Sequence, residues 1–123
     1  LIAFWELHDE RMVDFDPAIS LGLGLQPWVN HIAFFSPDLE DIGVRRQRWL
    51  DHGHDVMEID HGWCRSIYAT DPNGIMVAFC VPLADFTAED AAEARRLLTV
   101  EQPPLAALPE ITFHPALETD PAR

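Results

Sequence analysis

His31 lies in the run Trp28-Val-Asn-His-Ile-Ala-Phe-Phe35, with Val29, Ala33 and Phe35 at the alternate positions. An imidazole among such neighbours is either a packed pocket group or a neutral nitrogen donor whose second nitrogen needs an orienting partner. Glu6 opens a polar cluster with His8, Asp9 and Glu10. That cluster reads as a solvated strand exit, or Glu6 supplies a carboxylate as ligand or general base. His61 precedes Gly62-Trp63 in a turn, at a place suited to touching a bound molecule. Arg65 and Tyr68 stand three apart on one expected strand, hence on opposite faces. One of them can meet a ligand, Arg65 by holding a carboxylate or Tyr68 by donating a hydrogen bond. Trp28, Phe35, Trp63 and Met76 read first as core and second as ligand walls. His52 and His54 flank Gly53 and read as complements to a helix C-terminus in a solvated loop.

The rest of the composition removes much familiar chemistry. The chain has 123 residues with 21 acidic and 8 basic side chains, a formal charge of −13. Such a balance removes the electrostatic attraction behind nucleic-acid binding and disfavours an anionic membrane surface. Every basic residue is Arg, so Schiff-base chemistry on lysine is excluded. Ser20, Ser36 and Ser66 are the only serines, and none sits in a nucleophile elbow. Gly22 and Gly24 lack the third glycine of a dinucleotide loop. Cys64 and Cys80 form no Cys-x-x-Cys pair and are too few for a disulfide scaffold, so a reduced, cytoplasmic protein is expected. The chain opens at Leu1, without Met, directly in an apolar run, which predicts further sequence upstream.

The elements that would position these residues follow from local signals. Residues 1–8 read as a strand and 9–27 as a linker, acidic first and then apolar without helical period. Trp28 to Phe35 is the next strand. Ser36-Pro37-Asp38 starts a helix expected over 39–52, with Ser36 or Asp38 as cap, Glu40 and Asp41 in the first turn and Gly53 at the end. Leu39, Ile42, Trp49 and Leu50 make its apolar face, with Arg45, Arg46 and Arg48 largely off it. Strands are expected over 56–59, 64–70 and 75–81, the last two joined by the tight turn Asp71-Pro-Asn-Gly74. Thr87 caps a helix over 88–98, with Asp90 as capping-box partner. Residues 101–123 hold Pro103, Pro104, Pro109, Pro115 and Pro121 and read as an extended tail. The class is α+β, a curved, mixed, mostly antiparallel sheet with one packed helix.

Asn30-His-Ile-Ala-Phe34, the helix ending in Gly53, and Arg65-Ser-Ile-Tyr68 followed by Asp71-Pro-Asn-Gly-Ile-Met-Val-Ala-Phe79 together resemble one module of the vicinal oxygen chelate superfamily. That group includes glyoxalase, bleomycin-resistance and extradiol-dioxygenase proteins. The resemblance spans residues 28–81. It implies two βαβββ modules, each a curved sheet, that together enclose a small-molecule cavity. Residues 1–8 would be the last strand of a first module, and Leu1-Ile-Ala-Phe-Trp5 indeed echoes Met76-Val-Ala-Phe-Cys80. Residues 82–123 would be a C-terminal helix and Pro-rich tail outside the module.

The resemblance makes His31 a metal ligand, with Glu6 and His61 as further candidates for a divalent ion (Fe, Mn, Zn, Ni or Co). Glu6 and Tyr68 become the catalytic candidates of a lyase, isomerase or dioxygenase, and Trp28, Phe35, Trp63 and Arg65 the substrate-binding ones. Ala78 stands where the module's last strand commonly bears a ligating Glu, which implies the alternative of a metal-free drug-binding protein of bleomycin-resistance type. The expected partners are a small molecule and a second copy in a homodimer. A third reading keeps the fold for assembly alone, with the Pro-rich tail wrapping a partner subunit.

Overall fold

The computed structural model describes residues 8–12, 14, 16–105 and 107–117. The expected strand over 1–8, with Glu6 in it, lies outside the described residues apart from His8, as does the end of the tail. The described chain is α+β. Five strands form one open sheet: β1 Ile32–Phe35, β2 Val56–Asp60, β3 Cys64–Thr70, β4 Met76–Pro82 and β5 Glu110–His114. The described helices are α1 Ile19–Gly22, α2 Leu39–Asp51 and α3 Ala88–Leu97. None of them is long and apolar enough to cross a membrane.

The sheet order is β1-β4-β3-β2-β5. β1 runs parallel to β4, and the other three pairings are antiparallel. Parallel neighbours need a long crossover, and α2 with the β2–β3 hairpin supplies it. Asp38 caps α2 by accepting from the Asp41 amide at 2.8 Å, while Ser36 donates to the Asp41 carboxylate. Gly53 ends the helix region at φ 80°, a conformation that costs glycine little. Ile42 and Leu50 of α2 pack on Val56, Ile67 and Val81, with Trp49 and Phe79 against them. Because strand side chains alternate, this core fixes which face each residue takes.

Four expectations need correction. The segment from Trp28 does not enter the sheet at once: Pro27–Val29 makes a 3₁₀ turn, with Pro at a first-turn position, and β1 starts at Ile32. His31 therefore precedes the strand. The stretch read as a featureless linker holds short helical turns at Glu10–Met12 and Ile19–Gly22, the second fixed by the Ser20 hydroxyl accepting from the Asn30 amide at 2.9 Å. Residues 110–114 of the tail form an edge strand on β2. Arg45 and Arg46 do not stay clear of the core side. The Arg45 guanidinium lies 4.1 Å from the Phe79 ring centre, and Arg46 pairs with Glu58, because long side chains lay their stems along apolar surface.

Candidate functional site

With α2 on one face of the sheet, Ala33, Phe35, Met57, Ile59, Tyr68 and Ala78 fall by alternation on the other, which we call the second face. Among the described residues, no strand position pointing this way is Asp, Glu or Arg. Its centre is made of small, buried groups (Cys64, Ser66 and Ala78, the last only 1% exposed). Its rims carry Phe35 and Phe113, 71% and 74% exposed.

His31, Tyr68 and His61 meet on this face. The His31 and Tyr68 ring centres are 6.0 Å apart. His61 Nε2 lies 3.2 Å from the Tyr68 hydroxyl. The His61 ring stands 6.3 Å from Trp63, which in turn lies 5.5 Å from Phe86. His31 Nδ1 is 2.9 Å from the Trp28 carbonyl oxygen. A carbonyl can only accept, so Nδ1 carries the proton and, in the neutral ring, Nε2 keeps its lone pair. The 3₁₀ turn thus orients His31 through the backbone of Trp28, whose own ring is exposed.

Burial raises the Tyr68 phenol above its ordinary value, a shift that the Ser66 hydroxyl partly offsets by hydrogen bonding. The group is therefore a protonated donor at neutral pH. Burial, with Cys80 alongside, pushes the Cys64 thiol up to about 11, so it is inert as a nucleophile.

Of the residues singled out from sequence, the structure brings together His31, Tyr68, His61 and Trp63. Phe35 shares their face at the end of β1. Arg65 points the opposite way: its Nη2 donates to Asp60 at 2.6 Å and its Nε lies 3.8 Å from Glu58. The Arg65 pairing holds the Asp60 carboxyl below the usual range. Phe86 and the β5 residues Ile111 and Phe113 were missed. Only the alternation of Ile111 and Phe113 carried a signal, between two prolines that favoured an extended tail.

A divalent ion needs typically three or four nitrogen, oxygen or sulfur donors. The second face offers His31 Nε2, with His61 Nε2 already engaged by Tyr68 and a methyl group at Ala78. Among the described residues no three His, Cys, Asp or Glu side chains form a group able to hold a metal. The described residues alone do not fit such an ion.

Comparison with protein-family models, with curated proteins and with solved structures found no match to this chain.

Proposed function

We propose that the second face is one wall of a binding site for a small planar organic molecule, in a module of the vicinal oxygen chelate type. The observation that carries this reading is the linked trio His31, Tyr68 and His61 on a face where, among the described residues, no strand position carries a carboxylate or guanidinium group. Aromatic rings offer stacking area, His31 Nε2 accepts a hydrogen bond, and the Tyr68 hydroxyl donates or relays one. The strand-helix-strand-strand-strand order over 32–82 supports the family, and so does β1 beside β4. A second half, from another subunit of a homodimer, would close the cup. The lack of Asp, Glu and Arg at the described strand positions of this face, together with Ala78, favours the metal-free, drug-binding alternative.

The enzyme reading rests on His31, whose anchored Nδ1 leaves Nε2 as a donor. A metal there would take its remaining ligands from outside the described residues, with Glu6 the candidate in this chain.

The test is a titration of the full-length protein with phenol, indole and quinoline, followed by amide ¹H–¹⁵N spectra. The reading expects saturable shifts at Ser66, Tyr68 and Ala78 for at least one of them. Shifts confined to other surfaces, or none, would sink it. Elemental analysis of the same preparation, with divalent ions titrated alone, separates the metal-dependent reading from the metal-free one.

A further inference from the structure

On the α2 face, the C-terminal end of α2 and the β3–β4 hairpin bound a cleft of about 180 Å³. Trp49, Ala69, Pro72 and Val77 make its walls. The Trp49 ring packs against the Phe79 ring, with centres 5.4 Å apart. Two ionisable side chains complete the lining, Asp71 and His54.

Asp71 organises the hairpin with one oxygen only. Its Oδ1 accepts from the Asn73 amide at 2.9 Å and the Ile75 amide at 2.8 Å. Oδ2 has no donor among the described residues, and neither does the His54 ring have a partner there. Asn and Asp serve this turn chemistry alike. The negative charge is therefore surplus to the turn.

We infer that this cleft binds a small organic ammonium ion, with Asp71 Oδ2 taking the N–H⁺ and the Trp49 indole covering the apolar body. A carboxylate makes its strongest hydrogen bonds to cationic donors, and an indole face attracts a cation. No Arg lines the cleft, and the net charge of −13 repels anions from the molecule as a whole. The volume falls below the roughly 300–1,000 Å³ of drug-sized sites, so the ligand is a single-ring or short aliphatic amine. The site lies across the sheet from the second face and is independent of the function proposed for it.

The experiment titrates the full-length chain with benzylamine, protonated at neutral pH, and with benzyl alcohol as its neutral counterpart. Expected are saturable benzylamine shifts at the Trp49 indole N–H and at the Ala69 and Val77 amides. Binding should be at least fivefold weaker for benzyl alcohol and for benzylamine with the Asp71→Asn variant, whose side-chain oxygen keeps the turn. The inference is overturned by absent or non-saturable shifts, by shifts elsewhere, or by equal binding of the alcohol. Equal affinity of a folded Asp71→Asn variant overturns it too. Should that variant fail to fold, the comparison of amine with alcohol still decides.

Discussion

The His31 and Tyr68 rings lie 6.0 Å apart at an inclination of 58°, although β4 lies between β3, which carries Tyr68, and β1, which begins just after His31. On β4, Ala78 is the small residue beside Tyr68. It pairs with Ala33 on one side and Tyr68 on the other, and presents a single methyl between them.

Replacing Ala78 with Glu should therefore be costly. The site is 1% exposed, and among the described strand positions of the second face no Arg awaits a carboxylate. Burying an unpaired acid or its protonated form should cost about 3 kcal/mol. Urea denaturation measures the loss, and a variant as stable as the parent would contradict this account of the face.

Alkaline pH should weaken the fold through Cys64. The free thiol titrates near 9.0, whereas the folded one holds its proton to about 11. The folded state then retains a proton that the unfolded state releases, so stability is intact below pH 9 and falls as pH rises toward 11. The raised Tyr68 phenol acts in the same direction. Two pH units correspond to at most about 3 kcal/mol. The Cys64→Ala variant should lose less stability between pH 8 and pH 11 than the parent; equal losses would remove the thiol as the cause.

Glu58 joins three elements. Its Oε2 accepts from Arg46 of α2 and from His114 Nε2 of β5, the latter at 3.1 Å. The Glu58 side chain is 14% exposed and Arg46 32%, so the pair is partly screened. Glu58→Ala should cost about 1–3 kcal/mol and speed amide exchange at Ile111 and Phe113 more than at Ile67. Uniform acceleration would mean that Glu58 does not hold β5.

Much of the fold was legible because its signals are local. Asp38 and Gly53 bracket α2, Thr87 and Asp90 complete a capping box on α3, and Asp71-Pro-Asn-Gly74 makes its turn with Gly74 at φ 82°. β5 was not legible, since what holds it is a pairing with β2 about fifty residues away, as well as the Ala116 amide donating to Asp55. Pro27 turned the first part of an apparent strand into a 3₁₀ turn, which local hydrophobicity does not report. For the site, the opposite orientation of Arg65 and Tyr68 followed from alternation alone. Which of them joined His31 depended on which face α2 covers.

The central claim is that the small planar molecule of the proposed function meets the face bearing His31 and not the one bearing Arg65. The direct measurement is the dissociation constant of the tightest binder among phenol, indole and quinoline, for the parent, His31→Ala and Arg65→Ala. His31 is exposed, so its removal should leave stability within about 0.5 kcal/mol. The account predicts binding at least tenfold weaker in His31→Ala and unchanged in Arg65→Ala. Unchanged binding in His31→Ala, with loss in Arg65→Ala, would contradict it.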